Sequence, residues 1–513
     1  MKDYCLRIGR ASDIENKRER LIYRFFEMLP GILSWLTLIL TVLVSWKKPI
    51  WAAIFIIFFV IYYLFRTIYF SVHLSACYKQ MRINEKIDWI EKINQLPDNL
   101  KREIYHLIIF PAYKESLEIL RDSFKSLINS DWPKDKMIVV LSYEEKGGRE
   151  TEKTAKTIES EFKNIFFRFL ITSHPGNLPG EIPGKGSNET WGVKEVKEKA
   201  IDRLKIPYKN IIVSAFDADT CVFPKYFSCL TYHYLNSKDP YHLSFQPIPL
   251  FINNIWQTPP ISRIFSFAAS FWEMMCLERP EKLITFSSHA MSLKTLVEVG
   301  FKQTNVVSED SRIFWQCFLK YDGNYQVVPI YYPVSMDANV ASTFLKTMKN
   351  VYRQQRRWAY GAENVAYFLF GFLKNKKIPL PKKFSLGFAT FENYWSWATN
   401  SIIIFLLGWL PITIGGEEFR QTLLSHNLPI FISRILTIGM IGLVLSAIFS
   451  ILLLSPKIID IGRKKYLFLI LEWFLMPVIM IFFYAIPALD AQTRLMAGKY
   501  LGFWPTEKVR KPR

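Results

Sequence analysis

Ile211-Ile-Val-Ser-Ala-Phe216, followed by Asp217-Ala-Asp219, is the stretch of sequence that decides the fold. A short, mostly apolar run rich in β-branched residues predicts a strand that is buried on both faces, as in a parallel sheet covered by helices. Such sheets bind ligands at the carboxyl ends of their strands. Asp217 and Asp219 are therefore expected at the ligand-binding edge of an α/β domain.

Strands and helices alternate on both sides of this stretch, between about residues 103 and 340. We predict three further strands at residues 106–110, 137–141 and 165–171, and helices at 115–128 and 151–163. Their apolar residues recur with the periods of strands and helices respectively. This alternation predicts a largely parallel α/β sheet.

The composition indicates a membrane protein with a soluble domain. Of 513 residues, 50% are hydrophobic and 21% are charged, which is consistent if the two kinds are segregated along the chain. The net charge of +20 suits either nucleic acid or an anionic membrane surface and an anionic nucleotide. Lys and Arg are spread along the chain and no nucleic-acid motif is present, so we favour the membrane. The six cysteines form no CxxC pair, which indicates free thiols in a reducing compartment.

Five apolar segments have about the length that crosses a bilayer, at residues 28–46, 50–65, 394–416, 435–456 and 473–489. The first two are predicted to form a transmembrane hairpin, because a long basic lead without a small-residue cleavage site argues against a signal peptide. Basic residues flank the hairpin, so the middle of the chain is expected in the cytoplasm. Residues 457–465 and the tail 494–513 are both basic. Either the last segment is therefore re-entrant, or the charge rule fails on one side.

Residues 342–373 carry apolar residues at intervals of three and four, with Lys and Arg mostly off that stripe. This pattern predicts a helix in the membrane interface, and a surface helix of the soluble domain is the alternative. The chain then divides into a basic N-terminus with the transmembrane hairpin (1–75), a linker (76–103), a cytoplasmic α/β catalytic domain (104–340), amphipathic interface helices (341–392), C-terminal transmembrane helices (393–490) and a basic tail (491–513).

Asp217 and Asp219 are the candidate metal ligands. Two carboxylates one residue apart in a turn can converge on Mg²⁺ or Mn²⁺, which prefer oxygen ligands and bridge phosphates. A metal on a diphosphate stabilises the charge that develops when a sugar–phosphate bond breaks. An ordinary solvated or capping turn is the alternative for this short motif.

Glu309 and Asp310 precede the apolar pattern of residues 313–319 and supply the candidate base. If Asp310 faces the same cleft as Asp217, it can take the proton of an acceptor hydroxyl that attacks an anomeric carbon. A glycoside hydrolase would need two carboxylates that flank the scissile bond. A helix cap is the simpler alternative for this acidic pair.

Gln354, Arg357 and Trp358 share one face of the basic helix. The planar Arg fork suits a pyrophosphate leaving group, and Gln and Trp can bind a sugar ring. Contact with lipid headgroups is the alternative.

Four further places are candidates for binding the donor or the acceptor. Pro111, Tyr113 and Glu115 follow the first strand in a loop that can wrap a nucleotide, and Glu144 and Glu145 follow the second strand. Lys185 ends a Pro/Gly-rich stretch whose backbone N–H groups suit phosphates, although a plain surface loop is nearly as good an interpretation. His289 is expected either at the acceptor site or as a core histidine.

The ordered set of motifs resembles the family 2 glycosyltransferases of the inverting GT-A type, in particular the membrane-integrated branch of cellulose, chitin and hyaluronan synthases. The resemblance covers most of the chain. It is carried by residues 110–115, by Asp217-Ala-Asp219, by Ser308-Glu-Asp310, by Gln354-x-x-Arg357-Trp358 and by residues 504–508, Trp-Pro-Thr-Glu-Lys.

The resemblance implies a GT-A domain, a nucleotide-diphospho-sugar transferase fold of Rossmann-like type, inserted between transmembrane α-helices. It implies a UDP- or GDP-sugar donor held by Asp217 and Asp219 with a metal, Asp310 as base, and Gln354, Arg357 and Trp358 near the diphosphate and the acceptor. The family's Asp-Asp-Gly-Ser-like turn is absent, so Glu144 or Glu145 must take the place of the Asp that holds the nucleobase. The membrane block is smaller than in the largest synthases.

Three functions remain open at this stage: a polysaccharide synthase, an enzyme that adds one sugar to a lipid carrier or membrane lipid, and a catalytically silent membrane scaffold. The acceptor is accordingly a glycan or a lipid-linked group. Membrane lipids are further partners.

Overall fold

The computed structural model describes residues 3–454, 463–504, 506 and 509–510. Within these residues, eight strands form one mixed sheet with the order β3-β2-β1-β4-β7-β6-β8-β5. The strands are β1 Tyr105–Ala112, β2 Met137–Glu144, β3 Arg168–His174, β4 Ile211–Ala215, β5 Cys221–Val222, β6 Leu243–Phe251, β7 Ala290–Ser292 and β8 Gln326–Met336.

Helices cover both faces of this sheet and extend from it into an apolar bundle. They are α1 Lys17–Lys47, α2 Pro49–Asn84, α3 Trp89–Asn94, α4 Leu117–Ile128, α5 Gly148–Phe162, α6 Lys185–Val196, α7 Tyr226–Asn236, α8 Pro260–Leu277, α9 Leu293–Glu298, α10 Glu309–Lys320, α11 Phe344–Ala359, α12 Glu363–Lys374, α13 Leu380–Phe405, α14 Leu410–Ile414, α15 Gly416–Arg420, α16 Leu423–Leu452, α17 Arg463–Glu472, α18 Met476–Ile479 and α19 Ile486–Met496.

Alternate residues of the central strand β1 enter different cores, as the period of a strand requires. Leu107 and Ile109 belong to the core shared with α6 and α8, whereas Ile108 and Phe110 belong to the core shared with α4, α5 and α7. All eight residues of β1 are buried. Burial on both faces explains why residues 107–112 of β1 are all apolar and show no polar alternation.

The parallel half of the sheet agrees with the sequence prediction, and the other half differs from it. β1 pairs in parallel with β2 and β4, and β2 pairs in parallel with β3. β3 begins three residues after the predicted start at residue 165. Beyond β4 the sheet is mixed, because β7 pairs antiparallel with both β4 and β6. β7 has only three residues, too few to show a period in the sequence.

Among the described residues, four helical segments are long and apolar enough to cross a membrane: α1, α2, α16 and the segment Lys464–Met496. The segment predicted at 394–416 lies in a helix pair, Leu380–Phe405 and Leu407–Ile414, that bends by 47°. Pro411, in the first turn of α14, has no N–H to donate to the preceding turn, which favours a break. The bend therefore lies in the third of the five predicted apolar segments.

The amphipathic stretch is two helices separated by a 3₁₀ turn at Tyr360–Ala362. α11 begins with the exposed apolar residues Phe344 and Leu345, as expected of an interfacial helix. α12 is instead mostly buried, with Val365 and Phe368 fully covered. In α12, the apolar stripe that we expected to contact the membrane packs against the protein core instead.

The described part of the tail docks on the α/β domain. Val509 N donates to Val340 O at 2.9 Å, and Tyr500 Oη donates to Glu27 Oε2 of α1 at 2.8 Å. Phe503 lies against Gly184, where a Cβ would come within 2.3 Å of its ring. Pro505, Glu507 and Lys508 of the predicted tail motif, and residues 457–462 of the basic segment, lie outside the described residues.

Phe124 is a test of the core under α4, because its ring is fully buried against Phe110, Phe162 and Phe169. Phe124→Ala should lower the free energy of unfolding by about 3–5 kcal/mol, since it leaves a cavity in a packed core. The midpoint of thermal unfolding in detergent measures the effect. Lys125→Ala, at the exposed neighbouring position, is the control. Equal midpoints for the two variants would contradict the packing described here.

Candidate active site

The carboxyl ends of β1, β2 and β4 meet at one edge of the sheet, as their parallel pairing requires. Pro111 lies near the end of β1, Glu144 ends β2, and Asp217 follows β4. Phe216 N donates to Ile109 O at 3.1 Å, so pairing of the backbones continues up to the first aspartate. The sheet itself therefore holds Asp217 beside the two predicted nucleotide loops.

Lys185, the first residue of α6, joins two of the acidic motifs. Its Nζ lies 2.7 Å from Asp217 Oδ1 and 2.8 Å from Asp310 Oδ2. Gly186 makes this approach of α6 to α10 possible, because a Cβ there would lie 2.7 Å from the Cβ and Cγ of Glu309. The Pro/Gly-rich stretch thus ends in a cation that lies between the two motifs.

A second lysine, Lys302, binds the other oxygen of Asp310. Its Nζ lies 2.8 Å from Asp310 Oδ1 and 2.6 Å from Glu189 Oε2. Glu189 is one turn after Lys185 on α6, and its Oε1 lies 3.7 Å from Lys185 Nζ. The four side chains form a closed ring of alternating charge. The ring is largely buried, and buried charges are tolerated when each one is paired in this way.

The two carboxyls of Glu309-Asp310 have opposite protonation states at neutral pH. Burial alone would raise the pKa of Asp310, but Lys185 and Lys302 hold that pKa well below its usual range. Burial, and then the negative charge of Asp310, raise the pKa of Glu309 to about 8. Asp310 is therefore the ionised group and Glu309 its neutral neighbour. Both lie in the first turn of α10 rather than before it.

Asp219 lies deeper than Asp217 and is 1% exposed. Its Oδ2 accepts the backbone N–H of Asp337 at 2.7 Å. Arg510 of the tail binds both carboxylate oxygens of Asp337, at 2.6 and 2.9 Å, and donates to Asp122 Oδ2 at 2.5 Å. A hydrogen bond and a two-oxygen ion pair thus connect the tail to the second aspartate of the motif.

Gln354, Arg357 and Trp358 line the cavity that contains Asp217 and Asp310. Gln354 Oε1 accepts from Asn339 Nδ2 at 3.2 Å. The Arg357 guanidinium lies 4.8 Å from the ring centroid of Phe503, and its buried Nε has no hydrogen-bond partner among the described residues. Such a donor is suited to an anion that binds in the cavity.

Trp358 packs between two aromatic rings. Its ring centroid lies 6.0 Å from that of Phe251 on β6 and 5.9 Å from that of Phe265 on α8. This packing holds the indole ring in one orientation at the cavity wall.

The predicted nucleotide residues divide into those that reach the cavity and one that does not. Pro111, Tyr113, Glu115 and Glu144 line it. Glu115 folds back to accept the backbone N–H of Tyr113. Glu144 is buried and lies 3.0 Å from His174 Nδ1, and the other ring nitrogen lies 3.1 Å from Glu181.

Glu145 is exposed and accepts the N–H of Gly176 at 3.1 Å, on the outer side of the loop. Of the two glutamates predicted as candidates for the nucleobase, Glu144 lines the cavity and Glu145 does not.

His289 is a core histidine behind Asp310. It is 1% exposed, its Nδ1 lies 2.9 Å from Phe286 O, and the same nitrogen lies 3.9 Å from Asp310 Oδ1. Burial, and then the charge of Lys302, lower the pKa of His289 to about 3, so the ring is neutral at pH 7. It does not line the cavity of Asp217 and Asp310.

One cavity of about 1050 Å³ runs from the cleft of the α/β domain into the apolar helix bundle. Its walls include Asp217 and Asp310 at one end and Arg66 of α2 and Asn393 of α13 at the other. Arg66 is ion-paired with Glu392, the neighbour of Asn393. The pair is partly buried, with side chains 24% and 19% exposed.

Asp217 and Asp219 fit a divalent cation only in the manner of Mg²⁺, which uses one or two carboxylates and takes its other ligands from phosphate and water. Among the described residues, no group of three or more His, Cys, Asp or Glu side chains is arranged to hold a metal. Asp217 faces the cleft, where Ser287 Oγ donates to it at 2.8 Å. The carboxylates available to a metal are thus the partly exposed one of Asp217 and the buried one of Asp219, with the ammonium group of Lys185 beside the first.

Four contributors to the site were not singled out in the sequence: Glu189, Lys302, Ser287 and Arg510. Glu189 carries a usable signal, because it is four residues after Lys185 and such pairs meet on a helix. Lys302, Ser287 and Arg510 reach the site only through tertiary contacts, and the sequence around them has no pattern that marks them.

No protein-family model matches the chain, and no curated protein matches it. Among solved structures, a mannosyltransferase from Pyrobaculum calidifontis in complex with GDP-Man and Mn²⁺ has 13% identity and a TM-score of 0.40, over 80% of this chain and 99% of that one. S. aureus TarS 1-349 has 13% identity and a TM-score of 0.31, over 67% and 90% respectively. Its complex with UDP-GlcNAc has 12% identity and the same TM-score. At TM-scores below 0.5, these likenesses assign no family to the chain.

Arg510→Ala should release the tail from the domain, because it leaves the buried carboxylate of Asp337 without its strongest partner. Hydrogen exchange followed by mass spectrometry should show faster exchange of residues 500–504 in the variant. Lys499→Ala, at an exposed position in the same segment, is the control. Unchanged exchange in Arg510→Ala would show that the tail is held by other contacts.

Proposed function

We propose that the protein is a membrane-bound inverting glycosyltransferase that moves a sugar from a UDP- or GDP-sugar to a hydroxyl group of a glycan. The observation that carries the proposal is the single cavity that joins an ionised, lysine-bound Asp310, the carboxylate of Asp217 and the unpartnered Arg357 Nε to the apolar helix bundle. A base, a set of cations for a diphosphate and a path from the membrane are the three requirements of such a transfer.

In the proposed reaction, Asp310 takes the proton of the acceptor hydroxyl while that oxygen bonds to the anomeric carbon. The bond from this carbon to the diphosphate oxygen breaks on the opposite face, and the nucleoside diphosphate leaves with the electron pair. Attack from the opposite face inverts the configuration. Lys185 and Arg357 would bind the diphosphate, whose charge rises as it leaves.

Lys185 would couple donor binding to the basicity of Asp310. It contacts both Asp217 and Asp310, so a diphosphate that draws the ammonium group toward itself weakens its hold on Asp310. Lys302 would stay on Oδ1 of Asp310, because Glu189 also binds the ammonium group of Lys302. Asp310 would thus be a poor base in the empty site and a better one beside the bound donor.

Asp217 and Asp219 would hold Mg²⁺ or Mn²⁺, which supplies positive charge to the leaving diphosphate. Glu144 would accept a hydrogen bond from the nucleobase, and Tyr113 would contact the nucleoside. Trp358 would offer its indole face to a sugar ring.

A lipid-linked acceptor that receives one sugar is the second candidate. The part of the cavity within the bundle includes apolar residues such as Leu64 and Leu443, which suit a lipid chain. It also includes Asn400, Ser401 and Thr437, whose polar groups suit a glycan. These polar groups favour polysaccharide synthesis as the first candidate.

We infer a multi-pass cell-membrane protein with its catalytic domain in the cytoplasm. The described tail binds the α/β domain, so the two lie on one side and an even number of spans separates them. Of the three apolar segments between them, the bent pair of α13 and α14 would cross, since Gly415 lies against Pro49 at the turn of the hairpin. α16 would cross back, since its Phe449 packs on Tyr78 near the end of α2. The last segment would then be the re-entrant one, because Glu472 pairs with Arg263 of α8 on the side of the α/β domain, and this arrangement agrees with the positive-inside rule.

The test of the function uses the purified protein in lipid nanodiscs, with labelled UDP- and GDP-sugars, Mn²⁺ and a lipid extract. Products are sized and partitioned between water and organic solvent. Long chains from one donor would support the synthase, and a single sugar on an extractable lipid would favour the second candidate. No transfer from any donor would refute both.

Asp310→Asn should reduce transfer by roughly 10²–10⁴-fold, the usual contribution of a general base. Binding of the labelled donor should persist, because the cations that hold the diphosphate remain. Asp202→Asn, at the surface and outside the cavity, is the control. Full activity of Asp310→Asn would show that Asp310 is not the general base.

A chelator should stop transfer, and added Mn²⁺ or Mg²⁺ should restore it. Asp217→Asn should raise the metal concentration needed for half-maximal activity, since it removes one of the two carboxylate ligands. If the chelator and added metal both left turnover unchanged, Asp217 and Asp219 would not be ligands of a metal that the reaction needs.

A further inference from the structure

One face of α8 forms part of the cavity wall between the cleft and the helix bundle. Its cavity-lining residues recur at intervals of three and four, the spacing of one helix face, and include Phe265, Ala269, Trp272, Glu273 and Cys276. Apart from Glu273, this face consists of apolar and small side chains. Glu273 is also the only acidic residue of α8.

Glu273 differs from Asp217 and Asp310, two other carboxyls of the cavity, in having no hydrogen-bond or ion-pair partner among the described residues. Asp217 and Asp310 are bound by Lys185, whereas no hydrogen bond or ion pair reaches Glu273 from any described residue, and its Oε2 is buried. Burial, and then the negative charge of Asp217, raise the pKa of Glu273 well above its ordinary value. A buried polar group without a partner costs free energy, so its presence on an apolar face calls for a ligand.

The position of Glu273 favours the acceptor over the donor. The donor's diphosphate needs cations, and these are Lys185 and Arg357 on the cleft side. Glu273 lines the same cavity as Asp217 and Arg66. It is close enough to Asp217 for their charges to interact, and Glu273 and Arg66 both act on the pKa of Cys276, which burial raises to about 12. We therefore assign Glu273 to the part of the cavity next to the cleft on the side of α2.

The surroundings of Glu273 suit a sugar ring. Trp272 lines the cavity beside it, and Trp358 packs on Phe265 two turns earlier in α8. Indole rings bury the C–H face of a pyranose while the hydroxyl groups at its rim need hydrogen-bond partners. A carboxyl group supplies such partners, and in its neutral form it both donates and accepts.

We propose that Glu273 is an acceptor-binding residue: its carboxyl group hydrogen-bonds to hydroxyl groups of an uncharged sugar ring and orients the attacking hydroxyl toward Asp310. This inference rests on the proposed function and deepens it, because it assigns the acceptor a site of its own. The acceptor bound at Glu273 is the end of a hydroxyl-rich glycan, either growing or lipid-linked.

The experiment compares two products of one labelled donor in nanodiscs: sugar transferred to acceptor, and free sugar released when water takes the acceptor's place. Glu273→Leu should lower the ratio of transfer to hydrolysis by about tenfold or more, because it removes the hydrogen bonds to the acceptor. Glu273→Gln should stay within about threefold of wild type, since the amide also donates and accepts. Glu273→Met is a second apolar replacement, to be used if Glu273→Leu does not fold.

Glu278→Gln is the matched control, because Glu278 directly follows α8 and does not line the cavity. Its ratio should equal that of wild type. An unchanged ratio in Glu273→Leu or Glu273→Met would overturn the proposal. If a folded Glu273→Leu or Glu273→Met variant lost transfer and hydrolysis in parallel, the proposal would also be overturned, because the role of Glu273 would then not be specific to the acceptor. A wild type that neither transfers nor hydrolyses any donor would instead refute the proposed function, and this site with it.

Discussion

The ring of alternating charges formed by Lys185, Asp310, Lys302 and Glu189 is the constraint on which the rest of the site depends. Each of these groups would be costly to bury alone, and each is acceptable because two opposite charges lie beside it. The ring also ties α6 to α10 and to the loop that carries Lys302. Its integrity therefore determines where Asp310 lies relative to Asp217, and hence whether the proposed base faces the proposed donor.

The second level of organisation is the attachment of the α/β domain to the apolar helices. Described residues of the tail contribute to this attachment: Phe503 lines the cavity and lies against Arg357, and Arg510 binds Asp337. α12, which the sequence pattern suggested as an interfacial helix, is instead part of the buried joint. Because the cavity has walls from both parts, a movement of the helix bundle changes the space beside Glu273 and Trp358. The proposed transfer would thus be sensitive to contacts far from the base.

Much of the site was accessible to sequence reasoning because its residues follow recognisable elements. Asp217 comes after a strand that the sequence predicted, and Arg357 and Trp358 line the cavity together with Gln354, whose spacing to each of them indicated a shared helix face. Glu145 and His289 show the limits of such reasoning. Glu145 is one residue from a side chain that lines the cavity, yet it points outward, and His289 lies behind Asp310 rather than in front of it.

The amino-acid sequence by itself determined the parallel half of the sheet, the apolar segments and the order of the acidic motifs, because periodicity and strand-end placement are local properties. Only the tertiary structure decided the partners of those motifs. Lys302 reaches Asp310 and Arg510 reaches Asp337 across 8 and 173 residues of chain respectively. It also decided that Glu273 has no partner among the residues that the structure describes and that α12 is buried. Ion pairing and burial depend on which surfaces meet in space, and the spacing of residues along the chain does not specify that.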